Sequence, residues 1–197
     1  NSGSPYGQEC RSCWTVPDGY KLVGIDASGL ELRVLAHYMN DQEYIDEVIH
    51  GDIHSRNQEL AGLKTRNESK TFIYAFIFGA GAAKIGSVVG GTAQDGQRLI
   101  DTFLSNVPAL AVLRERVDKA GRKGYLIGLD GRHLKIRNQH AAVNLLIQGA
   151  GAVICKQWLV DIDILSRNKK LNSKLIASIH DEYQHEVFKP HAKIFGE

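Results

Sequence analysis

The apolar strands of this chain stand far apart, one near its start and two near its end, with a long block of helical pattern between them. Leu22-Val23-Gly24-Ile25 is a short apolar run that ends in Asp26. Leu175-Ile176-Ala177-Ser178-Ile179 and Tyr183 to Phe188 are two further runs, joined by His180-Asp181-Glu182. Strands so separated can share a sheet only if the block between them folds as a body of its own. The predicted class is α+β: an antiparallel sheet platform with an inserted helical lobe. At 197 residues and 43% apolar content the chain can bury a core as one domain or two small ones.

Inside the block, Arg66, Lys70, Tyr74 and Phe78 recur every four residues. Each step turns about 400° on a helix, so the four side chains form one slowly spiralling stripe. Two cations followed by two aromatic rings suit a ligand with phosphates at one end and a sugar and base at the other. Phe72, Ile73, Phe76 and Ile77 supply the opposite, core-facing side. Thr65 with Glu68 three residues later is a capping box that makes Arg66 the first helical residue. Exposed N–H groups and the positive helix end then favour an anion beside it. A surface helix with aromatics packed beneath it has the same pattern, so the stripe alone does not decide.

Other segments follow from local chemistry. Ser28 and Glu31 read as a second capping box, opening a helix through about Met39, and Asp52 reads as the cap of a helix carrying His54. The glycines Gly79, Gly81, Gly86, Gly90 and Gly91 read as repeated breaks, before helices from Gln94 to Arg122 interrupted near Pro108. Tyr125 to Ile136 reads as a hairpin turning at Asp130-Gly131, and His140 to Leu165 as the longest helix. Asn1 to Pro17 reads as a loop or edge segment, and no apolar run is long enough to span a bilayer. Cys10 and Cys13 have zinc-ligand spacing, but no second Cys/His pair completes the set; with Cys155 they indicate a reducing compartment.

The net charge of +2 permits a nucleic-acid partner without requiring one. Between Arg114 and Arg137 eight Lys and Arg face three acidic residues, a density that could follow a phosphate backbone. Asp26 stands at one strand end, and Asp181 with Glu182 at a hairpin tip. Such residues often only form turns, yet together they are the minimum set for a two-metal site. Clustered carboxylates need hard cations to offset their repulsion.

With these pieces placed, the chain resembles the family A (DNA polymerase I-like) DNA polymerases, closest to the bacteriophage replicative type. Asp26-Ala27-Ser28-Gly29-Leu30-Glu31-Leu32-Arg33 resembles the family's motif A, Arg66 to Gly79 its motif B, and His180-Asp181-Glu182 its motif C. Similarity also runs through Gly51-Asp52-Ile53-His54, Leu129-Asp130-Gly131-Arg132 and Leu146-Ile147-Gln148-Gly149.

The resemblance implies a palm over residues 1–50 and 108–197 and fingers over 51–107, with thumb, first palm segment and exonuclease absent. It makes Asp26, Asp181 and the Ala27 carbonyl ligands of two Mg²⁺ ions, with Glu182 beside them. It gives Arg66 and His54 the β- and γ-phosphates, Lys70 the α-phosphate and a proton for the departing pyrophosphate, and Tyr74 the incoming sugar. Glu31 becomes a steric gate against a ribose 2′-OH. Phe78 stands beside the templating base, where the family usually has tyrosine. Arg33, Arg132, Asn144, Gln148 and His180 become contacts to the primer–template. The implied partners are primer–template DNA, dNTPs, and the missing segments or a processivity factor, with no membrane. The implied location is the cytoplasm, that of a bacterial host if the chain is phage-encoded.

Two alternatives stand beside this reading. A single-subunit RNA polymerase has a similar layout but lacks a glutamate at the Glu31 position and has serine in place of Glu182. A non-catalytic DNA-binding fragment would keep the site residues but could not grip a duplex. Gly79-Ala80-Gly81 is not followed by Gly-Lys-Ser/Thr, which dismisses a P-loop.

Overall fold

The structure is a computed structural model, and it describes residues 5–197. The chain forms two compact units: one combines the segment up to Ser28 with Ile154–Glu197, the other is Gly29–Val153. The fold is α+β with antiparallel sheets, as the strand spacing predicts. The sequence-based divisions at 50/51 and 107/108 follow the implied fingers and palm, whereas the compact units divide at 28/29 and 153/154.

The sheet unit begins with a helix, α1 (Gly7–Ser12), where the sequence reads as loop; residues 1–4 of that expectation lie outside the described residues. Strand β1 (Tyr20–Asp26) follows. The helical unit then runs through α2 (Leu30–Met39), α3 (Gln42–His50), α4 (Ile53–Ala61), α5 (Arg66–Ile77), α6 (Ala82–Val88), α7 (Ala93–Asn106) and α8 (Pro108–Gly121). Pro108 opens α8 at a position where its missing N–H costs nothing. A small hairpin, β2 (Tyr125–Ile127) with β3 (His133–Lys135), turns at the predicted Asp130-Gly131, where Gly131 takes a φ of 82°. Helix α9 (Ala142–Asn168) crosses from this unit into the other. Strands β4 (Ser173–Ile179) and β5 (Glu182–Phe188) and a short α10 (Ala192–Gly196) complete the chain.

Other sequence readings need correction. The start of α2 differs from the expected Ser28–Glu31 capping box: the N-cap position is Gly29, in the left-handed region. Gly86 does not break the chain but lies inside α6, because bare glycine backbone is what lets α6 approach α7. A Cβ on Gly86 would fall 1.9 Å from the Thr92 carbonyl oxygen, and one on Gly96 1.9 Å from that of Ala82.

The segment 139–168 is also long and apolar enough to cross a membrane, contrary to the reading of the sequence. Its first half instead packs as a core element, burying Ala142, Leu146, Ile147 and Ala150 beside Leu32, Leu35, Phe72, Ile73 and Phe103. This core makes the helical unit a body in its own right. Within it Tyr44 donates to the Asn57 amide oxygen at 3.1 Å, and burial pushes the Tyr44 hydroxyl up to about 12.

The sheet order is β1-β5-β4, all antiparallel. Along β5, Tyr183, His185 and Val187 are buried while Glu182, Gln184 and Glu186 are half-buried, so one sheet face is packed and the other open. Tyr183 anchors the packed face by donating to the Cys155 carbonyl at 2.6 Å.

Candidate active site

In the helical unit, α5 starts where the sequence places it. Thr65 Oγ1 accepts from the Glu68 N–H at 3.2 Å, and the Glu68 carboxylate accepts from the Thr65 N–H at 3.0 Å. Phe72, Ile73 and Ile77 are buried, and the Phe72 ring meets Phe103 edge-on at 5.2 Å. That anchorage leaves Arg66 and Lys70 exposed, Tyr74 half-buried, and Phe78 at the C-terminal cap with 48% exposure. The predicted stripe is therefore real.

Helix α4 brings a second set of groups. Asp52 caps it, accepting from the His54 N–H at 3.2 Å and from Ser55 Oγ at 2.7 Å. The His54 ring lies 6.1 Å from the Tyr74 ring, and its Nδ1 is enclosed without a hydrogen-bond partner. Burial, then the charges of Arg66 and Lys70, hold His54 below its ordinary pKa, so it is neutral at pH 7. Arg66 grips Asp52 with two bonds, Nε to Oδ2 at 2.7 Å and Nη2 to Oδ1 at 2.9 Å. These bonds, with that of Ser55, hold the Asp52 carboxyl well below the usual carboxylate range. Sequence reasoning saw only the cap, because a partner 14 residues away on another helix leaves no periodic signal.

Elsewhere in this unit Glu31 faces Gln148, whose Nε2 lies 3.5 Å from the carboxylate. Asn144 stands one turn earlier on α9, half-buried, its Oδ1 enclosed without a hydrogen-bond partner. Arg33 is exposed on α2. Arg132, also exposed, donates from Nε to Asp130 at 2.6 Å.

In the sheet unit, Asp26 pairs in register with Glu182, and the Ala27 N–H donates to the Asp181 carbonyl at 3.0 Å. Directly opposed residues share a face, so Asp26 and Glu182 both lie on the open side of the sheet. Glu182 also accepts from the Gln184 amide. Gly24 makes room for that amide, which would stand 2.6 Å from any Cβ there. His180 turns the hairpin with a φ of 56°, a strained conformation for a residue with a side chain.

The carboxylates of Asp26 and Asp181 and the Ala27 carbonyl are hard oxygen donors, the chemistry that suits Mg²⁺. Among the described residues no three His, Cys, Asp or Glu side chains converge as a metal-ligand group, at Cys10 and Cys13 or elsewhere.

Residues 2–196 match the profile of DNA polymerase family A. The chain belongs to this family. It is 42% identical to the DNA-directed DNA polymerase of Enterobacteria phage T3 and 41% identical to that of Escherichia phage T7. Each alignment covers 92% of this chain but 30% of the relative, so the chain spans less than a third of those family A enzymes. The DNA polymerase I of Pseudomonas aeruginosa is 28% identical over 92% of the chain. The fold matches the polymerase domain of M. smegmatis Pol1, solved with DNA primer-template and dNTP, at a TM-score of 0.85 and 23% identity. That match covers 98% of this chain and 38% of the other.

Proposed function

We propose that this chain is the nucleotide-binding and carboxylate-bearing core of a template-directed DNA polymerase. It would transfer a deoxynucleotidyl group from a dNTP to a primer 3′-OH, with release of pyrophosphate, during DNA replication in a bacterial host's cytoplasm. The observation that carries the reading is α5, with its two cations and two aromatics beside the neutral His54, in a chain of this family.

Arg66, by charge, and the neutral His54, by a ring N–H, would hold the β- and γ-phosphates, and Lys70 the α-phosphate, beside a helix N-terminus. The primer oxygen attacks the α-phosphorus, the bond to the bridging oxygen breaks, and Lys70 gives a proton to the departing pyrophosphate. Tyr74 packs against the sugar, and the Glu31 stem, steadied by Gln148, occupies the place of a 2′-OH. Two Mg²⁺ ions held by Asp26, Asp181 and the Ala27 carbonyl would activate the attacking hydroxyl and offset the leaving charge. Arg33, Arg132, Asn144, Gln148 and His180 would contact primer–template DNA. Gln148 and Asn144 suit minor-groove acceptors, which all base pairs share. The fingers would be residues 51–107 and the palm the segments on either side.

The test is Mg²⁺-dependent extension of a labelled primer–template, with dNTPs and NTPs compared. Extension with dNTPs alone, reduced more than roughly a hundredfold in Asp181→Asn, is the expected result, since even outer-shell partners of a metal are worth that much. The second reading, a non-catalytic DNA-binding fragment, predicts the opposite outcome. A folded chain that binds the duplex but extends nothing would select it.

A further inference from the structure

Asp52 carries no role in the scheme above, yet it is the most heavily engaged carboxylate of the helical unit. It accepts from Arg66 Nε, Arg66 Nη2, Ser55 Oγ and the His54 N–H. One side chain thus fixes the first turn of α4, which carries His54, and the guanidinium at the first residue of α5. We propose that Asp52 is a positioning residue for nucleotide binding, holding Arg66 by one edge so that its other edge meets the triphosphate. The proposal rests on the reading of Arg66 as a phosphate ligand.

The chemistry of the fork supports it. A guanidinium has five N–H donors in one plane, and Asp52 takes two of them, Nε–H and one Nη2–H. The remaining three, from Nη1 and Nη2, form the opposite edge, the right shape for a second bidentate partner such as a phosphate. The long side chain would otherwise sample many rotamers, because Arg66 lies exposed on the surface. A carboxylate held by four donors is costly to displace, so a phosphate would join the pair rather than replace Asp52. The pair itself is neutral, leaving Lys70 and two helix N-termini to set the sign of the field.

Asp52→Asn separates this role from capping, since asparagine is an equally good N-cap but a poor partner for a guanidinium edge. The measurement is calorimetric binding of Mg·dTTP to the full chain, with thermal melting of each variant alongside. Asp52→Asn should melt within a few degrees of the parent and bind roughly tenfold more weakly, the worth of a lost charge-assisted hydrogen bond. In an Arg66→Lys background, where no fork exists to be aimed, the same substitution should cost no further affinity. Equal or tighter binding by Asp52→Asn would overturn the proposal and make Asp52 a cap or a competitor. So would an undiminished loss in the Arg66→Lys background. Failure of the parent to bind, or parent-like binding by Arg66→Ala, would instead overturn the phosphate role of Arg66 and the role of Asp52 with it.

Discussion

His185 is buried at 4% exposure, its ring 4.8 Å from Phe195 and its Nδ1 enclosed without a hydrogen-bond partner. Burial holds its pKa below the ordinary value of about 6.5. The unfolded chain therefore takes up a proton at a pH where the folded chain does not. Its contribution to stability is whole above pH 6.5 and is lost progressively as the pH falls toward the lowered value. Melting temperature should drop between pH 7.5 and pH 5.5, and His185→Phe, which keeps a ring against Phe195, should shrink that drop. A remaining slope is expected from His54, whose pKa is lowered in the same direction. An unchanged slope in His185→Phe would show that the imidazole stays neutral on unfolding or is solvated when folded. Neither histidine's environment was legible in sequence, because it depends on packing against other elements, with Phe195 of α10 beside one and Tyr74 of α5 beside the other. The stripe of Arg66, Lys70, Tyr74 and Phe78 was legible, because it depends only on spacing along one helix.

Helix boundaries show the same split between local and distant causes. The start of α5 is written in Thr65 and Glu68, which satisfy each other within one turn. The start of α2 is not, because Gly29, at a φ of 62°, takes the cap position that Ser28 was expected to fill. Gly86 looks like a breaker in sequence, yet it and Gly96 both lie inside helices that touch backbone to backbone. Gly96→Ala would place a methyl 1.9 Å from the Ala82 carbonyl oxygen, a contact that only a backbone shift can relieve. It should destabilise the helical unit by about 2–3 kcal/mol or more, read as a fall in the denaturant midpoint. Ala93→Gly, a helix position in the same segment, should cost only about 1 kcal/mol by propensity. Equal effects of the two would mean that α6 and α7 are not in close contact in solution.

At the scale of the molecule, the helical unit is one uninterrupted stretch and the sheet unit is made of two pieces on either side of it. The α+β class followed from that arrangement, since strands at both ends left little else for the middle to be than an inserted body. The apolar core of the inserted stretch runs from Leu32 to Ala150 entirely within Gly29–Val153. Excised alone, Gly29–Val153 should therefore keep its helical circular dichroism and melt cooperatively; a gradual, featureless melt would show that it depends on the sheet unit. The pairing of β1 with β5 has a consequence for synthesis. Tyr20 meets Phe188 and Asp26 meets Glu182, so β1 has no partner until β5, roughly 160 residues later, has been made. A ribosome adding roughly 5–20 residues per second would leave it waiting for about 10–30 s. Through that interval the nascent chain exposes an unpaired strand bearing Asp26, while the helical unit behind it is already able to fold. The carboxylate pair is thus the last part of the candidate site to come into being, and β1 is the segment a nascent-chain chaperone would meet.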